Sequence, residues 1–101
     1  MRKSRLDFAT VNRAALACLP ALLARWLPDG RTVGVEYVAR NPRRADQHAG
    51  SFKINTRTGR WADFATGDCG GDPVSLAAYL GGISQAESGR KLARLLGLCV
   101  E

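Results

Sequence analysis

Two short aromatic segments punctuated by glycine and asparagine, GSFKIN at 50–55 and GRWADF at 59–64, leave this chain few folds to choose from. Phe52, Ile54, Trp61 and Phe64 supply the bulky side chains that pleated strands favour, and Gly50, Asn55 and Gly59 mark the strand ends. A β-hairpin follows. Thr56, Arg57 and Thr58 join its arms ahead of Gly59, which can take the positive φ that a loop of this length needs.

Upstream, Thr32 to Ala39 alternates as a half-buried strand does, with Val33, Val35, Tyr37 and Ala39 on one face. Asn41-Pro42 ends it, because the residue before proline is held extended and proline cannot donate to a ladder. Before this strand, Val11, Ala14, Ala15 and Cys18 recur at helical spacing after Thr10, the expected N-cap. Pro20 interrupts that helix and opens a shorter one over Ala21 to Leu27. Downstream, Asp72-Pro73 starts a helix that Gly81-Gly82 stops, and Ser84 to Glu87 matches a capping box for a last helix ending at Gly97. The fold class expected is therefore α+β: a small three-stranded, mostly antiparallel sheet flanked by N-terminal and C-terminal helices. Its size suits one domain over residues 10–101, preceded by a basic flexible arm at 1–9.

Charge points to the class of partner. The chain carries 15 Lys and Arg against 9 Asp and Glu, a net +6, which suits an anionic partner. Between Arg40 and Arg60 lie Arg40, Arg43, Arg44, Lys53, Arg57 and Arg60, opposed by Asp46 alone. Cations neutralise phosphates and flat rings stack on bases, so these residues with Trp61 and Tyr37 suit nucleic acid, single-stranded DNA in preference. The competing reading places Phe52, Ile54 and Trp61 in the core, and for the aromatics it is the stronger of the two; stacking by Trp61 or Tyr37 requires their exposure.

Other chemistries find less support. Cys18, Cys69 and Cys99 are scattered, and His48 is the single histidine, so close-spaced zinc ligands are lacking and a reducing cytoplasm is the expected compartment. No stretch is long enough to span a membrane. The run Ala14 to Ala24 imitates an export signal but is broken by Pro20. GDCGGD precedes a helix N-terminus without the Lys-Ser/Thr of a phosphate loop, and Asp68 and Asp72 would repel an anion. Asp63, Asp68 and Asp72 could gather a divalent metal, although a strand end and an N-cap account for two of them. Neither a cofactor nor an enzymatic activity is expected.

The segments EYVARNPRRAD, GSFKIN, TGRWADFATGDCGGDPVSLAAYL and SQAESGRKLARLLG resemble, in this order, the N-terminal domain of phage and plasmid primase-helicase proteins, itself similar to the zinc-binding domain of bacterial DNA primases. The resemblance covers roughly residues 32–98. It implies a zinc-ribbon-like scaffold that contacts template DNA, with a separate primase or helicase as the protein partner. In zinc-binding members a Cys-Pro-x-His knuckle falls on Asn41 to Arg44 and a second cysteine pair falls within Trp61 to Cys69, where only Cys69 is present. A metal-free version of the ribbon is implied, with no catalysis. The alternative is an adaptor or inhibitor encoded by a mobile element that docks on a replication or defence protein.

Overall fold

The computed structural model describes residues 7–43 and 50–97. Among them, helices α1 (Phe8–Ala17) and α2 (Leu19–Trp26) precede strands β1 (Arg31–Val33), β2 (Glu36–Ala39), β3 (Phe52–Asn55), β4 (Trp61–Asp63) and β5 (Cys69–Gly70), and helices α3 (Pro73–Gly81) and α4 (Gln85–Leu95) follow. The strands form one antiparallel sheet in chain order. The α+β class holds, but the sheet has five strands where three were expected.

Both additional strands have physical causes. Thr32 to Ala39 is not continuous, because Gly34 takes φ +63° and reverses the chain, so that Val33 pairs with Glu36. Glycine at the first central position is what a two-residue II′ turn requires. The reversal also changes which residues share a face. Thr32 lies opposite Tyr37, whereas Val33 and Val35 are exposed at 53% and 38% instead of lining the core. At the other edge, Ala62 pairs with Cys69 and Trp61 with Gly70, making a short strand from the glycine-rich loop.

The β3–β4 hairpin follows local chemistry. Asn55 Oδ1 accepts from the amides of Arg57 and Thr58 at 2.8 and 3.1 Å, an Asx turn, and Gly59 takes the positive φ expected of it, +79°. The β3–β4 register places Ile54 beside Trp61 and Phe52 beside Asp63 on one face of the sheet. On that face α2 and α3 bring Leu19, Leu23, Leu27 and Leu76 over Tyr37, Phe52, Ile54 and Trp61. Phe52 meets Trp61 edge to face with centroids 6.1 Å apart, a geometry that favours the ring quadrupoles. Full burial of side chains such as Ile54 and Leu76 contributes about 1.5–3 kcal/mol each.

The helices close a second apolar cluster around Val11, Leu22, Val74 and Leu92. Their ends are capped largely as the sequence suggests: Asp72 accepts from Ser75 N and Ser84 from Glu87 N, each at a helix start. The first cap differs. Asp7, not Thr10, opens α1, accepting from Ala9 N at 3.0 Å and from the Thr10 hydroxyl at 2.7 Å. The helix therefore begins within the stretch expected to be an arm; residues 1–6 of that stretch lie outside the described residues.

Gly70 marks a tight approach of β5 to the core. Trp61 Nε1 donates to Ser75 Oγ at 2.9 Å, and a Cβ at position 70 would strike both groups. Gly70→Ala is expected to lower stability by about 2 kcal/mol, the usual cost of overpacking, as measured by urea denaturation.

Candidate nucleic-acid interface

One face of the sheet is covered by helices; the other bears a groove of about 310 Å³. Its lining includes Glu36, Lys53, Asn55, Arg60, Phe64 and Cys69, and among the described residues none from a helix contributes. Strand pleating puts these residues together: Lys53 pairs with Ala62 and Ala62 with Cys69, all on the side opposite Ile54 and Trp61. Arg31 joins this face, because it pairs with Val38 and Val38 with Lys53.

Phe64 is the exposed aromatic of the groove, at 71%. Its backbone N–H donates to Ser51 O at 2.8 Å, and the Lys53 ammonium lies 5.8 Å from its ring centroid, within cation–π range. The turn that carries it is anchored from inside. Asp63, fully buried, accepts from Ala65 N at 2.8 Å through Oδ1 and from Asn41 Nδ2 at 2.7 Å through Oδ2. Asn41 Nδ2 also donates to the Tyr79 hydroxyl at 2.8 Å, and that hydroxyl donates to Asp68 Oδ2 at 2.8 Å. Burial raises the Tyr79 phenol above its ordinary value; the bond to Asp68 adds to the rise and the bond from Asn41 opposes it.

The residues expected to bind are only partly gathered. Lys53 and Arg60 line the groove, and Arg57 stands exposed at the tip of the hairpin. Arg40 is engaged elsewhere, its Nε 3.0 Å from Asp29 Oδ2. Arg43 lies over the ring of Tyr79, 5.8 Å from its centroid, and close to Gly82 at the end of α3. Arg44 lies outside the described residues. Tyr37 and Trp61 are corrected from conditional stacking residues to core residues: they are 7% and 5% exposed, with the Tyr37 hydroxyl donating to Leu27 O at 2.7 Å and the indole to Ser75. Both fall in the register row of Ile54, the row that the helices cover.

Phe64 and Arg31 were not among the expected binding residues. For Phe64 the signal was available, since in Trp61-Ala62-Asp63-Phe64 a pleat that buries Trp61 turns Phe64 to the opposite side. The three carboxylates considered for a metal have separate duties: Asp63 is tied to Asn41, Asp68 to Tyr79, and Asp72 caps α3.

The Arg40–Asp29 pair gives a pH prediction. The hydrogen bond from Arg40 holds the Asp29 carboxyl below its ordinary value. A depressed folded-state pKa contributes stability that is present above about 3.9 and is lost as pH falls through the folded value. Arg40→Ala should therefore move the Asp29 titration upward, read from its carboxyl carbon shift by NMR. Little global stability should be lost, because the pair is half exposed.

No protein-family model matches the chain, and no curated protein is detectably similar to it.

Proposed function

We propose that the protein is a small single-strand-binding module of replication or mobile-element type, gripping DNA across the helix-free face of its sheet. The observation that carries this reading is the exposed ring of Phe64 beside Lys53 in a groove that also holds Arg60, with Arg31 on the same face of the sheet and Arg57 exposed at the hairpin tip. A flat ring accepts a base of any identity, and the cations track the backbone. A single strand suits an open sheet face, because its bases are free to splay onto it.

The resemblance to primase zinc-binding domains supports the same reading. It puts the two halves of a zinc site at Asn41 to Arg44 and within Trp61 to Cys69, and the Asn41–Asp63 hydrogen bond joins these two segments. The residues present do not suit zinc. Cys69 lies on the groove side of the sheet, away from the core face that carries Asp63, and among the described residues no three metal-capable side chains converge. A hydrogen-bonded pair linking segments that a metal would otherwise cross-link is what a metal-free ribbon needs.

The test is salt dependence. With about three phosphates neutralised, log affinity for a labelled oligonucleotide should fall with log salt at a slope of about −2, roughly tenfold for a threefold rise in salt. Absence of binding at low salt sinks the reading.

A second reading, a protein-docking adaptor or inhibitor, is favoured by a groove of about 470 Å³ lined by Trp26, Leu80, Ile83, Leu92 and Leu95, among others. It predicts weak oligonucleotide binding. It also predicts a co-purifying protein that is lost when Leu95, exposed at 44%, is changed to Glu.

A further inference from the structure

Among the described residues a single carboxylate lines the cationic groove. Glu36 of β2 faces Asn55 of β3 as its register partner, both are half-buried, and both line the groove with Lys53 and Arg60. Among the described residues Glu36 makes no ion pair with either cation, whose charges would otherwise be its natural partners. Asn55 is oriented: its Oδ1 is engaged by the amides of Arg57 and Thr58, which leaves its NH2 group as the free donor.

A carboxylate repels phosphate, so on a polyanion-binding face it is unfavourable unless it meets the donors of a base. It can only accept, through two oxygens, while the Asn55 amino group can only donate. Together they offer acceptor, acceptor and donor. Guanine alone among the bases answers with donor, donor and acceptor: N1–H, the N2 amino group and O6. Cytosine and adenine set one amino donor beside a ring acceptor, and thymine flanks its single N–H with two carbonyls.

Resting on the single-strand reading above, we infer that the groove selects guanine at this position, with Glu36 accepting from N1–H and N2–H and Asn55 donating to O6. The selected base is not the one stacked on Phe64. Phe64 pairs with Ser51, four residues of strand from Asn55, about 13 Å at ~3.3 Å per residue. The two bases therefore belong to different nucleotides of one strand. Phe64 holds any base, and the Glu36–Asn55 pair sets the preference.

The experiment uses labelled short oligothymidylates with one central dG, dI, dA or dC, measured by fluorescence anisotropy against the full chain and against Glu36→Gln, with circular dichroism to establish that the variant folds. Deoxyinosine keeps N1–H and O6 but lacks the N2 amino group. The wild type should bind the dG strand roughly tenfold more tightly than the dI or plain strand, the scale of one bidentate contact. Glu36→Gln should erase that difference and at the same time tighten binding to plain oligothymidylate, since a like charge leaves a phosphate-binding face. Equal affinity for dG and dI strands, or an undiminished dG preference in Glu36→Gln, overturns guanine selection while leaving single-strand binding in place. Failure to bind any of the strands at low salt overturns both.

Discussion

Asn41→Ala should cost about 2–4 kcal/mol of unfolding free energy, because it removes a hydrogen-bond donor from a carboxylate that has no access to water. Asn41 is 1% exposed and Asp63 0%. The lost groups are an Nδ2 that serves both Asp63 and Tyr79, and an Oδ1 that accepts from Arg43 N at 2.8 Å. In a domain whose total stability is of the order of 5–15 kcal/mol, this is a large fraction. Urea denaturation measures it, and a loss below about 1 kcal/mol would mean that the pair does not hold the two segments together. Asn41→Asp separates the electrostatic part. Two buried carboxylates at this distance cannot both ionise easily, so one has its pKa raised in the folded state. The stability that protonation supplies is present at acid pH and is lost as pH rises, so the deficit of Asn41→Asp should widen from about pH 4 upward.

Phe64→Ala should weaken oligonucleotide binding by about 1–3 kcal/mol, the cost of losing one base–aromatic stack, or roughly fivefold to a hundredfold in Kd. Stability should change by less than about 0.5 kcal/mol, since the ring is 71% exposed and buries little. Anisotropy titration and urea denaturation of the same sample provide both readings. The contrast with Trp61 sharpens the test. Trp61 lies in the core and donates to Ser75, so its replacement by alanine should cost stability of the order of 3–5 kcal/mol. If Phe64→Ala binds DNA as the wild type does, the helix-free face is not the binding surface.

Much of the hairpin was legible in the residues. Short-range effects set its elements: Asn55 turns the backbone through its own side chain, Gly59 accepts a conformation costly to other residues, and Asp72 and Ser84 cap helices a few residues ahead. The proposed binding face was less legible. A run of arginines records charge along the chain, but the described members divide among a groove, a hairpin tip, an ion pair with Asp29 and a tyrosine ring near the end of α3. Counting cations between Arg40 and Arg60 could not separate these environments, because each depends on which distant group lies alongside.

Alternation in Trp61 to Phe64 already placed the two rings on opposite sides, and the glycines, caps and aromatics already called for an α+β arrangement, since steric and hydrogen-bonding preferences of that kind act over a few residues. Which side became core was settled when α2 and α3 laid Leu19, Leu23, Leu27 and Leu76 across the row of Tyr37, Ile54 and Trp61, leaving Lys53 and Phe64 facing outward. Gly34 was equally beyond a pattern reading: Thr32 to Ala39 alternates whether straight or folded, and the pairing of Val33 with Glu36 selects the fold. The Asn41–Asp63 bond joins residues 22 apart in the chain, so it exists only once the sheet has brought its donor and acceptor together out of water.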